Sequence, residues 1–405
     1  MISVQEARNI IHSQALDLST EYVHIDASLG RVLAEPIYTD RALPSFDRVT
    51  MDGIAIASHD YFANHRRFVR TARQFAGEPQ VDRGSVPGTC VETSTGAVLP
   101  ANCDAIIPYE WLHETDFGFE IVQTGEVKPL MNVHKTGSDL DQGSAVLNAG
   151  SRIDASAIAI LASVGSYSVP VRALPRIAVI STGDELVEVD QLPLPHQIRK
   201  SNDRAIAAVL AASGVVAQRF HLADAPETIE DWLNTNRSSF DALVFSGGVS
   251  KGKRDFLPDV LERVGIRCLF HRVSQRPGKP LWFGAGDQVV FGLPGNPVSA
   301  LVGAVVYIRW WMDASLGLVR ADAHPSGYEA QLGSSIEFKP HLTLFKPAVI
   351  ECVGGKFIAH PADHNGSGDF SSLAGIHGFI EMDAAQPQLP KGSTVCYHPL
   401  VWKRN

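Results

Sequence analysis

Arg176-Ile-Ala-Val-Ile-Ser-Thr-Gly-Asp-Glu-Leu186 decides the fold. Its apolar half does not alternate with polar residues, so it reads as a strand buried on both faces, the habit of parallel sheets. Its polar half is a turn centred on a glycine. The construction recurs twice: Ala242-Leu-Val-Phe-Ser runs into Gly247-Gly-Val-Ser, and Gln288-Val-Val-Phe-Gly runs into Leu293-Pro-Gly-Asn-Pro-Val-Ser. Around these runs the pattern predicts helices over 203–213 (closed by Gly214), 229–234, 256–264 and 298–312, and a further strand over 215–220. Strands alternating with helices predict a mostly parallel sheet covered on both faces.

Outward from this centre the texture changes. Residues 1–18 read as an amphipathic helix, with Ala7, Ile10, Ile11, Ala15 and Leu16 recurring at helical spacing. Residues 41–135 are rich in Gly, Pro and Thr and hold brief strand-like runs at 105–109 and 119–122, which suggests a small β domain. Residues 136–172 return to turn-then-helix texture and are expected to pack beside 1–40, so that the β domain is an insertion. The tail from about 320 is again short strands and turns. The expected fold is therefore multidomain α+β and α/β. It comprises an elongated helical and linker-like unit of 1–40 plus 136–172, an inserted β-rich domain of 41–135, a central α/β domain of 173–318 and a C-terminal β domain of 319–405, barrel-like in form.

Composition narrows the function. At 405 residues and 45% hydrophobic the chain can bury several cores. A net charge of −9 excludes a broad nucleic-acid surface, which needs a basic face. Nothing near Met1 has the form of a signal peptide, and the longest apolar run, 298–312, is too short for a bilayer and contains Arg309. A cytoplasmic protein with no membrane partner is expected. The five cysteines (Cys90, Cys103, Cys268, Cys352 and Cys396) form no C-x-x-C pair and read as buried free thiols rather than disulfides or zinc ligands. Signatures of zinc peptidases, P-loop NTPases and α/β-hydrolases are absent.

An acidic protein that binds an anion must do so locally, and the three strand-end turns offer the means. Glycines allow positive φ and close backbone approach, while free N–H groups before a helix cradle anions. Pro297 suits the first turn of the next helix and Asn296 its N-cap. Any one such turn reads equally well as an ordinary connection; three on one sheet point to a ligand beyond the strands' carboxyl ends. Cations stand beside them: Arg276-Pro-Gly-Lys279, and Lys251, Lys253 and Arg254 after the Gly247-Gly248 turn. Asp184, Glu185 and Asp255 occupy the same turns. Carboxylates near phosphate-binding amides suit Mg2+, although Asp184 and Glu185 can also be read as helix caps.

These residues carry a resemblance. Leu43-Pro-Ser-Phe-Asp-Arg-Val-Thr-Met-Asp-Gly-Ile-Ala and Ser94-Thr-Gly-Ala-Val-Leu-Pro-Ala-Asn-Cys-Asp-Ala-Ile-Ile-Pro resemble two motifs of the molybdopterin molybdenumtransferases. Gly137-Ser-Asp-Leu, Ser181-Thr-Gly-Asp-Glu-Leu, Ser246-Gly-Gly-Val-Ser, Pro277-Gly-Lys-Pro and Leu293-Pro-Gly-Asn-Pro-Val-Ser follow in that family's order, and Gly366-Ser-Gly with Ser371-Ser372 extends the match into the tail. The resemblance implies an elongated four-domain homodimer with its active site shared between protomers. It also implies insertion of molybdate into adenylyl-molybdopterin, releasing AMP and forming molybdenum cofactor, with Mg2+. Molybdopterin adenylyltransferase and the enzymes that receive the cofactor are further expected partners.

By the same resemblance the functional acidic positions are Asp52, Asp139, Glu185, Asp224 and Asp255, with Thr95. Glu185 and Asp255 are expected at the metal and the pterin; Asp52, Thr95 and Asp139 are expected from the partner protomer. Substrate contacts fall to Ser246, Gly247, Gly248, Ser250, Arg276, Lys279, Pro294, Gly295, Asn296, Pro297 and Ser299. Within that set, Arg276, Lys279 and the turn near Ser299 suit molybdate, a compact dianion, and the amides around Gly247 and Gly248 suit the pterin phosphate. Departures exist: Arg276 stands where lysine is frequent, Thr50 where a small residue precedes Met-Asp-Gly, Lys251-Gly-Lys-Arg is unusually basic, and Lys346 replaces a frequent arginine. A molybdopterin adenylyltransferase is the alternative enzyme, but it needs only the central domain. A non-catalytic scaffold, the use of a homologous domain in animals, conflicts with intact Asp52, Glu185, Asp255 and Lys279.

Overall fold

The computed structural model describes residues 1–123, 125–249, 256–319, 327–338, 341–363, 365–386 and 388–400. Its centre is a six-stranded sheet in the order Gln218–Leu222, Ile177–Thr182, Ala242–Ser246, Val289–Leu293, Trp282–Ala285, Arg267–His271. The first four strands are parallel, and Trp282–Ala285 runs against both of its neighbours. Every residue of the three strands that precede the glycine turns is buried, as unbroken apolar runs require. Helix Asn202–Ala211 and the long segment from Pro297 to Ser315 cover one face; Pro226–Asn236 and Leu257–Arg263 cover the other. The long segment is α-helical over Pro297–Gly303 and Arg309–Ser315, with a π turn over Ala304–Ile308 between them.

Residues 20–40 pair with the chain near 145–172: Thr20–His24 lies antiparallel to Ser168–Arg172, and Ile37–Tyr38 to Ala145–Leu147. The first helix, Val4–His12, grouped with that unit in the sequence reading, packs instead on the central domain. Its Ala7 and Ile11 join the core that holds Trp310 and Trp311, and the two indoles donate to the Arg8 and Gln14 carbonyls at 3.3 and 2.9 Å. Between these pairings lies a second six-stranded sheet, ordered Ala105–Pro108, Gly53–Ile56, Thr89–Thr93, Arg67–Gln74, Gly118–Ile121, Leu112–Thr115.

The C-terminal region is a five-stranded closed barrel. Thr343–Val353 pairs with both Lys356–Pro361 and Gly378–Met382, and Thr394–Pro399 and Tyr328–Leu332 complete the circuit. Gln275–Arg276, from the central domain, adds to the barrel as a parallel strand beside Thr343 and Leu344. Among the described residues no helix is long and apolar enough to cross a membrane.

The cysteines are all free, and burial pushes the Cys90 and Cys103 thiols up to about 12, which keeps them protonated and inert. The expected burial holds fully only for Cys90: Cys103, Cys268 and Cys396 are half-buried, and Cys352 is exposed at the solvent-facing end of Thr343–Val353.

Candidate functional site

The strand-end turns converge. A cleft of about 630 Å³ opens over the carboxyl ends of Ile177–Thr182, Ala242–Ser246 and Val289–Leu293. Of the residues singled out from sequence, Glu185, Asp224, Ser246, Gly247, Gly248, Gly295 and Pro297 line it. This is the crevice at the sheet's switch point, where strand order reverses about Ile177–Thr182.

Its first turn is not a helix cap. No helix follows Asp184 and Glu185; Leu186–Val187 pairs instead with Ile198–Arg199 to form a two-stranded strap. The capping alternative therefore falls. The Glu185 carboxylate folds back over Gly183, so that a Cβ there would meet it at 2.7 Å. The Asp184 carboxylate accepts the Asp224 N–H at 3.2 Å.

The second turn needs both of its glycines. Gly247 and Gly248 have φ of 107° and 71°, and a Cβ on Gly247 would lie 2.8 Å from both the carbonyl and the hydroxyl oxygen of Thr182. That hydroxyl is buried and has no hydrogen-bond partner among the described residues. The expectation that both amides serve an anion is corrected for one of them. The Gly247 N–H donates to the Leu293 carbonyl at 3.0 Å, because the strand pairing continues one residue past Ser246. Ser250 and Asp255, with Lys251, Lys253 and Arg254, lie outside the described residues.

The third turn is partly occupied from the tail. Asn296 stands at the N-cap position but makes no side-chain cap bond; its Nδ2 donates to the Ser367 hydroxyl at 2.9 Å. The Ser367 carbonyl accepts the Val298 N–H at 3.2 Å, so one helix-start amide is already satisfied by the C-terminal region. Pro294 precedes this turn, and Ser299, buried behind it, packs against the Pro277-Gly278 turn that carries Arg276 and Lys279. Both cations are exposed, and neither lines the cleft. Gln275 fixes their turn from inside: its Nε2 donates to the Pro277 carbonyl at 2.9 Å, and its Oε1 accepts from the Tyr307 hydroxyl.

Asp52, Thr95 and Asp139 sit elsewhere, on and beside the second sheet. The Asp52 carboxylate accepts the Thr95 N–H at 2.7 Å, and this bond holds its pKa below the usual carboxylate value. Asp139 pairs with His134 Nε2 at 2.9 Å, while Arg48 donates to His134 Nδ1 at 3.1 Å. That arrangement fixes the tautomer with its proton on Nε2. None of the three lines the cleft.

Sequence reasoning missed the cleft residues that come from the strap, the following helix start and the tail, among them Ile198, Lys200, Asn202 and Phe370. Asn202 ties two turns together, donating from Nδ2 to the Ser246 hydroxyl at 2.9 Å and to the Gly295 carbonyl at 2.7 Å. Lys200 is buried and paired with Glu188. No local pattern announces bonds that span 44 and 93 residues, although Ser201-Asn202 at a helix start was a legible polar signal.

Among the described residues the group with metal-ligand spacing is Glu381, Cys396 and His398, away from the cleft. Arg8 already supplies its cation, bonding Glu381 at 2.7 and 3.0 Å, and burial pushes the Cys396 thiol up to about 12. This is an ion-pair cluster that docks the first helix on the barrel.

A mostly parallel central sheet with a crevice of glycine turns at its switch point, a strap at the rim and an attached barrel defines a multidomain α/β protein with a ligand crevice of the doubly wound type. Profiles of the MoeA N-terminal region (domains I and II), a probable molybdopterin binding domain and the MoeA C-terminal region (domain IV) match residues 2–165, 178–313 and 329–400. A molybdopterin molybdenumtransferase of Synechocystis is 37% identical over 99% of this chain and all of its own length; one of Bacillus subtilis is 31% identical over 97% and 93%. A crystal structure titled molybdopterin biosynthesis moea protein, from Pyrococcus horikosii, superposes with a TM-score of 0.84 at 28% identity, covering both chains completely. The chain belongs to the MoeA family of molybdopterin molybdenumtransferases, transferases of molybdenum cofactor biosynthesis.

Proposed function

We propose that the protein inserts molybdate into adenylyl-molybdopterin at this cleft, releasing AMP and leaving molybdenum cofactor. The observation that carries the reading is the convergence of three glycine-bearing strand ends on one crevice with Glu185 and Asp224 on its rim. The adenylyltransferase reading has less support, because the matched regions extend over both flanks of the central domain.

Breaking a phosphoanhydride requires positioning and charge neutralisation more than covalent catalysis. Gly248 and Ser246 face the phosphate, with the turn held open by its two glycines. Arg276 and Lys279, on their braced turn next to Ser299, receive the molybdate dianion as it enters. Mg2+ prefers oxygen donors, and the Glu185 carboxylate, which has no side-chain hydrogen bond among the described residues, suits it; Asp255 is the second proposed ligand. Bound there, the ion supplies charge neutralisation at the phosphate. Asp52, Thr95 and Asp139 do not line the cleft of their own chain, which supports a homodimer in which a second copy brings them to it. The protein is proposed to work in the cytoplasm, receiving its substrate from molybdopterin adenylyltransferase and passing the cofactor to recipient enzymes.

Reconstitution with adenylyl-molybdopterin and molybdate tests this, reading AMP release. Glu185→Ala is expected to lower the rate on the order of a hundredfold, the loss typical of one preorganised electrostatic group, with the melting temperature unchanged. Unchanged AMP release would turn the reading toward the scaffold.

A further inference from the structure

Phe370 stands out in the cleft lining. Besides the aliphatic Leu186, Ile198, Val249 and Pro297, the walls are glycine turns, hydroxyls and polar or charged groups; among the described lining residues Phe370 is the one aromatic ring, and it is 56% exposed at the mouth. A single exposed aromatic needs no explanation on an ordinary surface. This one is held in place. It opens the short turn Phe370–Leu373, whose N-cap Asp369 accepts the Ser371 N–H at 3.1 Å and the Asn365 N–H at 2.9 Å. The Ser372 hydroxyl donates to the Asp369 carbonyl at 2.7 Å, and Leu373 packs on the central core. Ser367 binds this loop to Asn296 and Val298 at the third turn. On the strap side of the same cleft stands Ile198, 58% exposed. Two apolar side chains are thus kept in solvent, from separate elements, beside an anion-binding floor. Small-molecule sites combine apolar walls with a few placed polar groups in this way.

We propose that Phe370 is a stacking platform for a flat, nitrogen-rich heteroaromatic ring of the substrate, with the C-terminal region supplying that wall of the site. The inference rests on the cleft being the substrate site. The substrate carries two such rings, the pterin and the adenine, and both present a π-face that an aromatic side chain binds without reading its edge.

The experiment measures Kd of the full-length protein for molybdopterin and for AMP separately. Phe370→Ala is expected to raise one of the two roughly five- to a hundredfold, the range for loss of one ring stack, and thereby to identify the ring. Phe370→Tyr is expected to bind as wild type, and Phe370→Leu, which keeps bulk but no π-face, as weakly as alanine. The proposal is overturned if alanine leaves both Kd values unchanged, if leucine restores binding as well as tyrosine does, or if both ligands weaken equally with a fall in melting temperature. Gly295→Phe separates this from failure of the cleft reading: Gly295 lines the cleft and has room for a Cβ, which would meet only the Gly247 Cα, at 3.9 Å. If that variant blocks both ligands while Phe370→Ala blocks neither, only the stacking role fails. If it blocks neither, the cleft reading and the stacking role fall together.

Discussion

At Gly247 a missing methyl group is the requirement. Its φ of 107° is disfavoured for any side chain, and Thr182 leaves no room for a Cβ. Gly247→Ala should therefore cost about 1–3 kcal/mol in urea unfolding, the range for strain at such backbone positions. Gly295→Ala, in open space, should stay within about 0.5 kcal/mol of wild type. A reversed order would show that the turn relaxes. Sequence made both glycines legible as turn residues but not their different duties. It could not show that the Gly247 amide belongs to the sheet and that the Asn296 side chain reaches the tail rather than its own helix. Both facts depend on atoms far away in the chain, whereas residue type reports only what the local backbone permits.

The elements themselves were readable in proportion to how apolar and continuous they are. Ala242–Ser246 falls where the unbroken run placed it, and Val289–Leu293 is displaced by one residue. Arg267–His271 and Trp282–Ala285 escaped notice because the first mixes charge with apolar residues and the second carries a glycine. The run over 298–312 was legible as a helix, but its π turn was not, since that turn depends on hydrogen-bond spacing and not on composition. Tyr307 lies in that π turn, and its hydroxyl reaches Gln275, which in turn braces the Arg276–Lys279 turn. Tyr307→Phe leaves the buried Gln275 oxygen short of a donor, which should cost about 1–3 kcal/mol. If the brace positions the two cations for molybdate, the KM for molybdate should rise several-fold with kcat nearly constant. A fall in kcat alone would place the brace's effect elsewhere.

For the molecule as a whole, a pairing between the two ends of the chain is the most informative. Arg8 on the first helix and Glu381 in the barrel are separated by 373 residues and joined by two bonds in a buried setting, with His398 Nε2 donating to Glu381 at 2.6 Å. Removing one partner of a buried pair strands the other, so Arg8→Met should cost about 3–5 kcal/mol, and Arg8→Met with Glu381→Met should recover much of that. The cluster also sets an acid limit. Burial would raise the Glu381 pKa, but the Arg8 charge overcomes it and holds the group well below the usual carboxylate range. A depressed carboxylate stabilises the fold above its unfolded pKa, about 4.3, and loses that contribution as the pH falls below it. Burial lowers the His398 pKa, so the folded state takes up that proton at a lower pH than the unfolded chain, which does so at about 6.5. Two stages of destabilisation follow on acidification: the first sets in as the pH drops below about 6.5 and belongs to His398, the second sets in below about 4.3 and belongs to Glu381. Thermal melts of wild type and His398→Gln across that range separate the stages, since glutamine retains an N–H donor for Glu381 but cannot titrate. The variant should hold its melting temperature through the upper stage and fall only in the lower one; an upper slope identical to that of wild type would remove His398 from the account.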